Sequence, residues 1–226
     1  MSYKGVFRTL AEASEGGKAI SYVPSSDGKV YRISNEEFGI LSTPITSKVS
    51  ILDDIKPSFI PKLPKIPSIL FEEIIGLFKH YAKKNLEVMV LIYWDRILKE
   101  YVVFVPEQQI SASMINTEIP IVVETRYLLC MDIHSHHNMK AKFSSIDDKD
   151  ERATMLYAVI GNLDKEKYSI SVRASNGGTY LNLNPHDLIE ITYKSGDYPA
   201  EWEKNVKVKK QYVDNIKHLL VELLYK

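Results

Sequence analysis

One cysteine, Cys130, is all that the chain contains, so no internal disulfide can brace it. It sits in an apolar, β-prone run, where a thiol serves as a small buried group, and its isolation favours a reducing compartment. A charge excess of either sign is equally lacking. The 29 basic and 29 acidic residues cancel, which removes any global electrostatic case for nucleic acid or an anionic membrane as partner. No apolar stretch approaches the ~20 residues that a bilayer crossing needs. No N-terminal segment joins a positive start to an apolar run of signal-peptide length. These absences place the expected protein in the cytoplasm, with no membrane partner. Internal repeats and low-complexity tracts are also missing. What remains is 226 residues, enough for one large domain or a domain with a smaller companion.

Residues 1–55 alternate short β-prone pieces with turn signals, AISYVP, then SSDGK, then VYRIS, which predicts a small β-rich N-terminal unit built from hairpins. Pro57, Pro61, Pro64 and Pro67 then forbid a helix or central strand, so 56–68 reads as a proline-rich linker. The remaining residues, 69–226, form the larger predicted domain. Ser68 is a candidate cap for a helix over 69–84, in which Phe71, Ile74, Ile75, Phe78 and Tyr81 recur at helical spacing. LEVMVLIYWD and KEYVVFVPEQ read as strands around a charged turn, and YLLCMDIHSHH as a further strand. The loop NMKAKF leads to a predicted helix over 145–161. YSISVRAS and TYLNLN make a hairpin around Asn176, Gly177 and Gly178, and a helix with an apolar stripe is expected over 209–225.

The most informative stretch is MDIHSHHNMKAKFSSIDDKDE. His134 and His136 are two apart, Ser144 follows after seven intervening residues, and Asp147 comes three positions later. On a strand, residues two apart project from one face, so both imidazoles can reach one ion. Asp147, returning from the start of the next element, completes a shell of two His and one Asp that leaves a tetrahedral zinc one open position, as catalysis requires. Each part has a plainer reading. Ser144 with Asp147, or Ser145 with Asp148, is compatible with a helix N-terminal cap, and the histidines with a solvated strand end. Asp132 shares the histidine face and is either an orienting carboxylate or a surface one. His137 is expected to point away and not to ligate.

The order His, any, His, seven residues, Ser, two residues, Asp resembles the JAMM signature of the MPN+/JAB metallopeptidases. That resemblance covers about 69–185 and implies an α/β, cytidine-deaminase-like JAB/MPN domain with a mixed central sheet flanked by helices. It also implies one zinc (Zn2+) per chain and hydrolysis of isopeptide or peptide bonds, often at the tail of a ubiquitin-like protein. It assigns the metal to His134, His136 and Asp147, a general-base role toward a zinc-bound water to Glu87, and stabilisation of the oxyanion to Ser144. Glu87 matches the glutamate that the family places at the start of the first core strand after an N-terminal helix. HSHHNMKAKFSSIDDKDE, LYAVIGNL and ISVRASNGGTY are most similar to the bacterial Prok-JAB branch, which implies a ThiF-like activating enzyme and a small ubiquitin-like protein as partners. The chain departs from the pattern in two places. Bulky Val88, Met89, Val90 and Leu91 stand where many members have a glycine-rich strand, and His137 stands where a proline often follows the second histidine. Two other functions compete with the hydrolase. One is a non-catalytic scaffold or binding module on the same fold, and the other a RadC-like role in nucleic-acid transactions, which the neutral charge disfavours.

Overall fold

AISYVP and VYRIS pair through the turn that joins them. Ser25 and Lys29 close it with a backbone bond of 2.8 Å, and Gly28 supplies the positive φ of 78° that the chain needs there. The computed structural model describes residues 4–18, 20–37, 39–117 and 125–209. The chain divides into two compact units, residues 1–56 and residues 57–226.

The first unit is a four-stranded sheet in the order β1 (Lys4–Val6), β2 (Ile20–Pro24), β3 (Val30–Glu36), β4 (Gly39–Pro44), with β1 parallel to β2 and the others antiparallel. A short helix, α1 (Leu10–Glu15), starts where the Thr9 hydroxyl accepts from the Glu12 N–H. Ala13, Val23 and Ile33 form its small core, with Phe7 and Tyr31 against them.

The second unit is built on α2 (Ser68–Ala82) and a six-stranded mixed sheet. Its strands are β5 (Met89–Asp95), β6 (Glu100–Phe104), β9 (Tyr127–Ser135), β10 (Met155–Gly161), β11 (Ser169–Asn176) and β12 (Thr179–Leu183), in the order β12-β11-β10-β9-β5-β6. Only the β9/β10 pair is parallel; the other four pairs are antiparallel. A smaller sheet joins β7 (Gln108–Ile110), β8 (Ile115–Thr117) and β13 (Val206–Val208). The fold is therefore mixed α/β with several sheets and few helices. Among the described residues, no helix is long and apolar enough to cross a membrane.

Alternation along the strands sorts the sheet into two faces. Val90, Ile92, Met131, Ile133, Ala158 and Ile160 pack with Phe71, Ile74, Ile75 and Phe78 of α2 into the main core, each full burial of a side chain larger than Ala158 contributing about 1.5–3 kcal/mol. Met89, Leu91 and Tyr93 cluster on the opposite face with Tyr127 and Leu129. The β5/β9 register shifts between Ile92 and Tyr93, where Ile92 faces Met131 but Tyr93 faces Leu129. Cys130 is the extra residue of this bulge. It lets odd-numbered Leu129 share a face with even-numbered Asp132 and His134.

The helix expected over 145–161 is not formed. A single turn, α3 (Asp147–Asp150), stops at Glu151, and Met155–Gly161 is the strand β10. MLYAVIG is buried on both faces, and such a run lacks the period-2 signal that would separate strand from helix. A parallel neighbour of β9 also needs a crossover, and residues 136–154 supply it. KEYVVFVPEQ is likewise not one strand: β6 ends at Phe104 before Pro106, and Gln108 opens β7. Pro67, not Ser68, stands at the cap of α2, and the Ser68 N–H is met instead by the Glu190 carboxylate at 3.2 Å. Ile66, near the end of the proline-rich stretch, is 2% exposed and bridges Ile189. The helix expected over 209–225 lies outside the described residues, apart from its first.

Candidate metal centre

Register decides which residues meet. Met89 pairs with His134 across the β5/β9 ladder, and the next rung is a 2.9 Å bond from the Ser135 N–H to the Val88 carbonyl. Glu87 lies two residues before β5 and is 6% exposed, close enough to Asp147 to feel its charge. The segment that carries Glu87 is fixed group by group. The Glu87 N–H donates to the Ser111 carbonyl at 3.0 Å, and the Val88 N–H donates to Ser135 Oγ at 3.0 Å. Met89 N–H and C=O are both met by the Gln108 side-chain amide, at 2.9 and 2.8 Å. Gln108 thus replaces a strand rung where β6 has already ended.

His134 and His136 turn their Nε2 atoms toward each other, 3.2 Å apart. Asp147 Oδ1 is 3.6 Å from His134 Nε2. One donor atom from each of His134, His136 and Asp147 lies within 4.8 Å of the others, the only such grouping of His, Cys, Asp or Glu among the described residues. Burial holds both imidazoles below the usual histidine range, against the pull of the Asp147 charge. They are therefore neutral near pH 7, the form in which histidine binds a metal. Burial, and after it the Asp147 charge, pushes Glu87 up to about 7.

Ser144 and Asp147 cap each other. The Ser144 N–H donates to Asp147 Oδ2 at 2.5 Å, and Ser144 Oγ accepts from the Ile146 and Asp147 N–H groups at 3.2 Å each. The capping reading and the liganding reading therefore coexist: the cap uses Oδ2, and Oδ1 faces His134. A hydroxyl has two acceptor positions and one donor. Both acceptor positions are taken by backbone, which leaves the O–H to donate elsewhere.

Three neighbours escaped the sequence pattern. Glu151 is 6% exposed and accepts from Arg173 Nε and Nη2, at 2.9 and 2.6 Å, on the single oxygen Oε2. Burial pushes Glu151 up to about 8, against the Arg173 hydrogen bonds that pull it down. Arg173 lies between the Phe143 and Tyr180 rings, 3.9 Å from each centroid, and also donates to Asp148. It therefore ties the crossover that carries Ser144 and Asp147 to β11. Arg173 and Gln108 gave no signal, since one basic residue or one amide in a strand has no periodicity. Glu151 was hidden by the helix expected there. Asp132 is a correction to the surface alternative: it is 9% exposed, and its Oδ1 has no hydrogen-bond partner among the described residues. Burial, and then the Asp147 charge, pushes it up to about 7. The Asp147 charge acts on the carboxyl groups of Glu87, Asp132 and Glu151, of which only Glu151 is paired with Arg173. A divalent ion among the convergent donors fits that excess.

His137 is not on the strand. It takes a left-handed φ of 33° just past the end of β9. Its Nδ1 accepts from the Asn138 N–H at 2.8 Å, which leaves Nε2 to donate to the Ala112 carbonyl at 3.2 Å. With both nitrogens used it does not join the donor set. Cys130 is half-buried, and burial pushes its thiol up to about 11, far from a reactive thiolate at neutral pH. No family model matches the sequence, and no curated protein matches it significantly.

Proposed function

We propose that the chain is a JAMM-type zinc metallopeptidase on a cytidine-deaminase-like JAB/MPN fold, one that hydrolyses isopeptide or peptide bonds. The observation that carries this reading is the convergence of His134, His136 and Asp147 within 4.8 Å, with the buried Glu87 carboxyl close enough to feel the Asp147 charge. Two neutral imidazoles and a carboxylate suit zinc, though other divalent ions take the same set. A metal held there polarises a carbonyl and lowers the pKa of bound water from ~15.7 toward ~7.

The protein groups do the rest. Glu87, with a pKa of about 7, takes a proton from the attacking water and returns it to the leaving amine, as suits a general base working near neutral pH. The free O–H of Ser144 donates to the developing oxyanion; one such donor is worth ~2.7–4 kcal/mol in other hydrolases. An open groove of about 430 Å³, lined by Lys142, Phe143, Arg173, Asn182 and Asp148, the chain neighbour of Asp147, among others, would receive the substrate. The tail of a ubiquitin-like protein is the substrate class proposed, with a ThiF-like enzyme as its partner. A non-catalytic scaffold is the second reading, favoured by the reciprocal Ser144–Asp147 cap.

The test is Glu87→Gln, assayed for zinc content and for amine release from C-terminal amide conjugates of ubiquitin-like proteins. Full zinc occupancy with turnover abolished is expected. Loss of zinc from the variant would make Glu87 a ligand and refute the mechanism.

A further inference from the structure

A buried imidazole that ligates through Nε2 must carry its proton on Nδ1, and a buried N–H needs an acceptor. His134 is 8% exposed. Its Nε2 faces His136 and Asp147, and its Nδ1 faces Glu151 Oε1 at 3.9 Å. Glu151 is itself held. Arg173 places two hydrogen bonds on Oε2 and none on Oε1, so the clamp fixes the carboxyl group while leaving one oxygen turned to the histidine, and a divalent ion bound at His134 would favour its ionised, accepting form over the neutral acid of the metal-free chain. Glu151 adopts φ −82° and ψ 57° as α3 ends, which turns the chain inward where the sequence pattern had continued the helix. Arg173 is in turn immobilised by the Phe143 and Tyr180 rings and by Asp148.

We propose that Glu151, anchored by Arg173, is the positioning residue that sets the ring orientation of His134, keeping a proton on Nδ1 and turning Nε2 to the metal. This rests on the metal-site reading above. Outer carboxylates of this kind raise ligand basicity and fix the tautomer, and their loss typically weakens metal binding about 10- to 100-fold.

The experiment compares Zn2+ affinity, by competition with a chelating dye, in the wild type, Glu151→Gln and Asp148→Asn. Asp148 shares Arg173 with Glu151 and adjoins Asp147, so Asp148→Asn measures what loosening of the arginine and the crossover costs by itself. Glu151→Gln is expected to bind zinc at least about tenfold more weakly than the wild type, and Asp148→Asn to lose several-fold less than Glu151→Gln. Equal losses in the two variants, or none in Glu151→Gln, would overturn the proposal. Imidazole ¹⁵N NMR of the zinc-loaded wild type needs no variant to fold. His134 should show Nδ1–H with Nε2 ligated, and the reverse assignment would also overturn it. A wild type that takes up no zinc defeats the metal-site reading instead, and is recognised as such before any variant is compared.

Discussion

Replacing Asp132 with Asn removes a buried charge while keeping the side-chain shape. In the folded metal-free protein Asp132 has a pKa of about 7 against an ordinary value of 3.8, raised first by burial and then by Asp147. A carboxyl raised in this way holds its proton more tightly when folded. Between the two pKa values the unfolded chain therefore carries fewer protons, and stability falls as pH rises. The loss begins near pH 3.8 and is complete above about 7. At ~1.36 kcal/mol per pKa unit it totals about 4 kcal/mol, of which about 2 kcal/mol accrues above about pH 5.5. Asn does not titrate, so the stability of Asp132→Asn relative to wild type should rise by about 2 kcal/mol between about pH 5.5 and about pH 8. Urea unfolding in chelator, with both proteins at both pH values, reads this, and Glu151, whose carboxyl the Asp132 charge also raises, adds in the same direction. Effects of the substitution that do not involve protons cancel in the comparison. A stability difference independent of pH would refute the reasoning. Saturating zinc should narrow the difference at high pH, because a nearby dication favours the ionised carboxylate.

Gln108→Met should cost about 2–5 kcal/mol in urea unfolding, because it leaves Met89 N–H and C=O buried without partners; an unchanged midpoint would show that the segment holding Glu87 does not depend on this amide. Gly161→Ala should lower the melting temperature, at a cost of about 1–3 kcal/mol, since a Cβ there would collide with Met139 O and the Ala141 N–H. A variant as stable as wild type would show that the 139–141 loop yields freely. Ser144→Ala should keep zinc and lose about 0.5–2 kcal/mol of stability for its cap, with hydrolysis slowed far more than stability falls. Loss of zinc in that variant would show that the cap, not the oxyanion contact, is the residue's main task.

The donor set was legible because its chemistry is local. His134 and His136 obey the two-residue period of a strand, and Asp147 follows Ser144 at capping distance, so short-range spacing carried the information. The arrangement around them was not legible, because long-range pairing makes it. Gln108 acts on Met89 across a strand gap, and Arg173 reaches Glu151 and Asp148 from a different strand. Neither relation leaves a periodic mark. The helix expected over 145–161 failed for a related reason: a strand buried on both faces shows the same unbroken apolar run as a buried helix, and only its parallel partner β9 decides between them. Asp132 was ambiguous because alternation gives the face of a residue and says nothing about how deeply that face is covered.

The central claim is that His134, His136 and Asp147 hold one metal ion. Elemental analysis of untagged protein purified without added metal, with Asp147→Asn alongside, tests it most directly. The account predicts about one zinc per chain in the wild type and its loss in the variant. A wild type that is metal-free and takes up no zinc on dialysis, or a variant that retains its zinc, would contradict it.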